Sequence, residues 1–217
     1  MKPVNWLTSA LTALAIAASP AALAQQGETE SPAAEMQNIV LGDVVLGNPD
    51  APITIIEYAS ITCPHCAHFH DDVMPVIEER IELGQVKFIF RDFPTPPVNV
   101  AMAGFAMARC AGEDQYYPVL DTLFSRQEEM IETIRDGSIG AWLTDVGIAH
   151  GLSQDEFDAC LGNGTLFEAM VGIIEDGQAM GVNSTPTVFL NGERLGADAQ
   201  SPSSMAALID AALADAS

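Results

Sequence analysis

Residues 53–70 read ITIIEYASITCPHCAHFH. The first seven are apolar and β-branched and follow the turn signal NPDAP at 48–52. They predict a buried strand of the parallel-sheet kind. Beyond the cysteines the apolar period changes. Phe69, Val73, Val76, Ile77 and Ile81 fall at helical spacing, Gly84 can cap the end, and Pro75 should kink the helix. QVKFIFRDFP then supplies a second strand from Val86 to about Phe93. Residues 53–93 therefore predict one β-α-β unit, with Cys63-Pro64-His65-Cys66 at the N-terminus of its helix.

That position has chemical consequences. A helix N-terminus offers unpaired N–H groups and a partial positive charge, both of which favour a thiolate at Cys63. Pro64 suits the first helical turn, where its missing N–H costs nothing. His65 can add a positive charge or a donor beside the Cys63 sulfur. Cys66 lies one turn further in, close enough to bridge Cys63 and more buried. Such settings bring a cysteine pKa from about 8.5 to roughly 3.5–7.5, which makes an oxidising pair.

A metal site is the competing reading, with Cys63, Cys66, His68 and His70 as four ligands. Structural zinc sites take ligand pairs from separate segments, whereas these four come from eight residues of mostly one helix. His68 and His70 are instead expected on the helix surface, and no metal is expected. Ala67 follows the second cysteine, which removes the haem-attachment pattern. No glycine-rich nucleotide fingerprint follows a strand, so no cofactor is expected.

Glu57 interrupts the apolar strand six residues before Cys63. It is either an edge-strand acid facing water or a poorly solvated carboxylate on a central strand. In the second case it can take the proton from Cys66 as that sulfur attacks a mixed disulfide. Lys87, on the neighbouring strand, is a candidate charge partner for Glu57 or a surface residue.

Residues 98–181 change character. VNVAMAGFAMARCAG, QYYPVLDTLFSRQ, IGAWLTDVGIAHG, SQDEFDACLG and TLFEAMVGIIEDGQAMG all have helical spacing. They predict four or five helices and no strand, with a capping box at Ser153 and Glu156. Trp142, Phe105, Phe124 and the methionines of this block read as core. Then TPTVFLNGERLGA predicts two short strands joined by Asn191-Gly192. A last helix is expected from about Ser203 to Ala214. The fold class is thus α/β, one sheet divided by an all-helical insertion at about 98–181.

The N-terminus addresses the chain. Residues 1–24 carry Lys2, an apolar run from Trp6 to Ala18, Pro20 and the A-x-A sequence at 22–24. They predict a secretory signal peptide cleaved after Ala24. An uncleaved anchor is the alternative, but the run is short for a span. Residues 25–37 read as a flexible polar leader and 38–217 as the folded domain. Export places the four cysteines in a compartment that permits disulfides. The net charge is −22 for the full chain. A field of that sign repels nucleic acid and anionic lipid.

Taken together, CPHC after an acid-bearing strand, the inserted helices and GVNSTPTVFLNG at 181–192 resemble the thioredoxin superfamily, specifically the DsbA-type thiol:disulfide oxidoreductases. The resemblance covers roughly residues 38–216. It implies a thioredoxin fold with an inserted helical subdomain and a cis Pro186 facing the cysteines. It also implies that Thr185 offers backbone groups to a substrate peptide. By this likeness Cys63 is the attacking sulfur, Cys66 resolves, and His65 tunes Cys63. The implied activity is that of a periplasmic dithiol oxidase giving the Cys63–Cys66 disulfide to reduced exported proteins. A DsbB-like membrane oxidase would then restore the disulfide. Thr185 also occurs in related isomerases, so isomerase or reductase on the same fold is the alternative, as is a non-catalytic chaperone or metal carrier. The leader is too short for a dimerisation domain, so a monomer is expected. Cys110 and Cys160 are either two buried thiols or, as in some DsbA-type proteins, a second, structural disulfide.

Overall fold

The structure is a computed structural model that describes residues 42–216. The expected signal peptide, its expected cleavage site and the expected leader lie outside the described residues. Five strands form one sheet: β1 (Val45–Gly47), β2 (Ile53–Ala59), β3 (Val86–Asp92), β4 (Thr187–Leu190) and β5 (Glu193–Arg194). Their order is β1-β3-β2-β4-β5. β2 runs parallel to β3 on one side and antiparallel to β4 on the other. Every residue of β2 is buried, Glu57 included, as expected of a largely apolar central strand.

Alternation along β2 divides the core. Ile53, Ile55 and Ala59 join the larger apolar cluster, together with Phe88 and Phe90 of β3. Ile56 and Tyr58 join a smaller one on the opposite face, with Ile89, Phe189 and Ile173. Glu57 shares the face of Ile55 and Ala59, because side chains two apart on a strand point the same way.

Between β2 and β3 the chain forms α1 (Pro64–Asp72) and α2 (Met74–Glu82). The break at Val73 comes two residues before Pro75, whose ring cannot continue a straight helix. The Asn191-Gly192 turn joins β4 to β5 with φ of 49° and 84°, the pair of positive angles that a two-residue hairpin needs. The final helix, which the sequence places at about 203–214, spans Pro202–Asp215.

The helical block differs from its sequence reading in number. Six helices separate β3 from β4: α3 (Val98–Cys110), α4 (Glu113–Ser125), α5 (Gln127–Asp136), α6 (Ile139–Ala149), α7 (Gln154–Leu161) and α8 (Gly164–Ala179). The helix that the apolar period misses is α5. It buries only Gln127 and Met130, and just three of its ten residues, Met130, Ile131 and Ile134, are apolar, so it reads as a polar stretch. The Ser153–Glu156 capping box forms in full at the start of α7. Phe105, Phe124 and Trp142 are buried, as are Met107, Met130 and Met170. Cys110, at the end of α3, is bonded to Cys160 of α7. Gly104 of α3 lies against Ile61, where an added Cβ would meet Ile61 Cδ1 at 2.3 Å. That close approach brings the helical block onto the loop that carries the cysteines. No single helix among the described residues is long and apolar enough to cross a membrane.

Candidate active site

Strand β2 ends at Ala59 and helix α1 begins at Pro64, so Cys63 occupies the N-cap with extended backbone (φ −93°, ψ 119°). Its carbonyl accepts the first helical bonds, from the N–H groups of Cys66 at 3.1 Å and Ala67 at 3.2 Å. Pro64 and His65 are exposed, Cys63 is 7% exposed and Cys66 is fully buried. Neither sulfur is bridged. The Ser60 N–H points at the Cys66 sulfur, 3.5 Å away.

The two thiols are pushed in opposite directions. Cys63 is lowered from an ordinary 9.0 to about 5. The largest cause is a hydrogen bond from Cys66; the Thr185 side chain and the backbone N–H groups of Cys66 and His65 add to it. Burial pushes Cys66 far up, and the Cys63 sulfur and the Glu57 carboxylate push it further. The His65 ring itself lies exposed, edge-on to His68 with ring centroids 6.4 Å apart.

Across the sheet edge, the Thr185–Pro186 peptide is cis, and the Thr185 carbonyl oxygen lies 3.5 Å from Cys63 Sγ. The two segments, 122 positions apart in sequence, thus meet at the one reactive sulfur.

Glu57 is fully buried on the central strand, opposite Phe90 and Val188. It does not face water, and it does not meet Lys87. Lys87 pairs in register with Thr54, three residues away, and its Nζ donates to the Pro49 carbonyl at 2.9 Å. The partner of Glu57 is His70. Its Nε2 lies 3.0 Å from Glu57 Oε2, and its side chain is only 7% exposed. The surface placement expected for His70 is therefore corrected: the ring stacks on Phe124 at 3.9 Å between centroids. The helical spacing of Cys66 and His70, four residues apart, already placed them on one face of α1. His68 is exposed. No group of three or more His, Cys, Asp or Glu side chains able to hold a metal ion is found among the described residues.

Gln127 escaped the sequence reading altogether. From the start of α5 its buried Nε2 donates to the carbonyls of Ile61 at 2.7 Å and Cys63 at 3.0 Å. No local pattern marks such a residue, because its partners lie more than sixty positions away.

Comparison with known proteins places this geometry. The family model described as thioredoxin matches residues 40–211. The chain belongs to the thioredoxin family. Within that family its sheet and inserted helices follow DsbA-type structures. Wolbachia pipientis alpha-DsbA1 superposes with a TM-score of 0.73 at 25% identity, over 84% of this chain and 96% of that one. A Rickettsia bellii (strain RML369-C) protein, provisionally named a protein-disulfide oxidoreductase, is 27% identical over 176 residues. That alignment spans 79% of this chain and 64% of the relative, so this chain covers somewhat under two thirds of its length. Disulfide bond formation protein D of Bacillus subtilis (strain 168) is 28% identical over 165 residues, 71% of this chain and 70% of that protein.

Proposed function

We propose that this thioredoxin-family chain is a thiol:disulfide oxidoreductase that acts as a dithiol oxidase on exported proteins in a periplasm-like compartment. The observation that carries the reading is the asymmetry of the cysteine pair. Cys63 is a stabilised thiolate at the mouth of the site, and Cys66 is a buried thiol held protonated. A stabilised Cys63 thiolate favours the reduced pair, so the disulfide is a ready acceptor of two electrons, and Cys63 is a good leaving group from the mixed disulfide.

The steps follow from that asymmetry. A substrate thiolate attacks Cys63 Sγ of the Cys63–Cys66 disulfide. The S–S bond breaks, its electron pair stays on Cys66, and Cys66 takes up a proton. A second substrate thiolate then attacks the substrate sulfur of the mixed disulfide and expels Cys63 as its stable thiolate. The substrate leaves oxidised and the protein leaves reduced. Thr185 and Pro186 would hold the substrate chain beside Cys63. His65 would assist through its N–H and, when protonated, its ring. The likeness to DsbA-type proteins supports re-oxidation by a DsbB-like membrane oxidase and action as a monomer. No step calls on a bound cofactor.

A second reading, isomerase or reductase, is favoured by Thr185. The reduction potential of the mature protein, set by equilibration in glutathione buffers with alkylation mapping, separates them. A potential above about −150 mV carried by Cys63 and Cys66 supports the oxidase, and one near or below about −230 mV supports a reductase. A binding protein that only uses the groove would keep its peptide or metal affinity after Cys63→Ser, whereas an oxidase loses all turnover.

A further inference from the structure

Ser60 meets both cysteines through its main chain. Its N–H points at Cys66 Sγ, 3.5 Å away, and its carbonyl accepts the Cys63 N–H at 3.0 Å. The turn from Ser60 to Cys63 is therefore the frame on which the pair is mounted. Ser60 is fully buried and Thr62 nearly so. Two hydroxyls in so closed a turn need partners, and a second segment of the chain supplies them.

That segment is the loop between β3 and α3, which carries Thr95. The Thr95 N–H donates to Ser60 Oγ at 3.0 Å, and the Thr62 N–H donates to the same oxygen at 3.3 Å. Thr62 Oγ1 lies 2.9 Å from Ser60 Oγ, 2.9 Å from Thr95 Oγ1 and 2.8 Å from the Thr95 carbonyl oxygen. A hydroxyl has one hydrogen to give and two lone pairs to accept with. A carbonyl only accepts, so the Thr62 hydroxyl gives its hydrogen to the Thr95 carbonyl. Ser60 Oγ already accepts two N–H groups and gives its hydrogen to Thr62 Oγ1. The Thr95 hydroxyl gives its own to the same oxygen. Each bond then has one allowed direction, and the hydroxyls of Ser60 and Thr62 are saturated. A buried polar network satisfied in this way holds one geometry.

We propose that Ser60, Thr62 and Thr95 form a hydroxyl clamp that holds the Ser60 N–H on the Cys66 sulfur, which makes them positioning residues for disulfide exchange. This deepens the oxidoreductase reading and rests on it. When a substrate thiolate attacks Cys63 Sγ, a new S–S bond forms there. The Cys63–Cys66 bond breaks and its electron pair leaves on Cys66. That buried sulfur carries the developing charge until it takes up a proton. A fixed N–H aimed at it stabilises the charge without rearranging, as preorganised donors do. Lower basicity also makes Cys66 a faster leaving group. In re-oxidation the same N–H favours the Cys66 thiolate as it attacks a mixed disulfide at Cys63. The three side chains act through the Ser60 main chain and take no part in the bonds that form and break.

The test joins a rate to a resonance. Dithiothreitol reduces the oxidised mature protein at fixed pH, followed by acid quench and alkylation. The Ser60 amide proton is observed by NMR in the reduced protein. Cys66→Ala marks where that proton resonates without its sulfur partner. Thr62→Val should slow reduction about fivefold or more and move the Ser60 amide towards the Cys66→Ala position. Thr62→Ser keeps the hydroxyl and should restore both. Thr95→Val removes only the hydroxyl link to Thr62 and should move both readings the same way by less, which keeps the clamp testable if Thr62→Val does not fold. A wild-type rate in Thr62→Val and Thr95→Val overturns the proposal. So does slowing with the Ser60 amide unmoved, or a Thr62→Ser variant that behaves like Thr62→Val. Wild type that dithiothreitol does not reduce at all removes the oxidoreductase reading itself, and the amide shifts then still decide whether the clamp aims the N–H.

Discussion

Gln127 Nε2 lies 3.0 Å from the carbonyl oxygen of Cys63 and 2.7 Å from that of Ile61. One side chain of the helical block thereby holds the loop that presents the reactive sulfur. Gln127→Leu keeps the volume and removes both bonds. Two neutral hydrogen bonds and a buried carbonyl left unpaired amount to about 1–3 kcal/mol. The expected outcome is an unfolding free energy lower by that amount, seen as a lower denaturant midpoint, together with slower alkylation of Cys63. A midpoint equal to wild type would show that the loop holds itself.

The Cys63 titration makes the reduced protein's stability depend on pH. Its thiol falls from an ordinary 9.0 to about 5 in the fold. A depressed group contributes stability that is complete above the unfolded value and is lost as pH falls through the folded one. Reduced protein should therefore gain stability over a Cys63→Ala variant as pH rises from about 5 towards 9. Below about pH 5 the difference should vanish. Unfolding curves of both proteins at successive pH values measure it. The alkylation rate of Cys63 by iodoacetamide should reach half its plateau near pH 5. A half-point near 8.5 would contradict the assignment.

How much of this was open to a reader of the sequence depended on the range of the interaction. The β-α-β unit was legible because β2 is apolar at nearly every position and the helix after it repeats at 3.6 residues. Asn191-Gly192 announced its hairpin by the backbone angles only such residues adopt readily. Glu57 drew notice as a charge in an apolar strand. Its partner did not, since His70 was set beside His68 as a surface residue when only His68 is exposed. The tie between Lys87 and Glu57 failed on register, which pairs Lys87 with Thr54. Helix α5 and Gln127 were missed together: the helix is mostly charged and polar, its apolar stripe is only Met130, Ile131 and Ile134, and its first buried residue is a glutamine.

Cys110 and Cys160 close a separation of 50 residues between α3 and α7. On the chain-entropy account such a loop stabilises by about 4 kcal/mol. Replacing both by Ala should lower the unfolding free energy by about that amount. The rate of exchange at Cys63 should stay the same, since the bond joins two helices of the inserted block. Loss of exchange in a variant that remains folded would tie the block's rigidity to the active site.

The stabilisation of the Cys63 thiolate can be divided among its donors. The first is the Cys66 thiol, and His65 contributes its backbone N–H. Cys66→Ala removes the first donor and should raise the Cys63 titration most. Cys66→Ser restores an O–H in nearly the same place and should raise it less. His65→Ser keeps the backbone N–H and removes only the ring. A ring that carries positive charge beside the N-cap favours the thiolate, so its loss should also move the titration up. Absorbance of the thiolate at about 240 nm, followed against pH for the three variants, gives the order. If His65→Ser titrates like wild type, the exposed ring has no part in tuning Cys63, and the effect belongs to Cys66 and the N–H groups of the helix start.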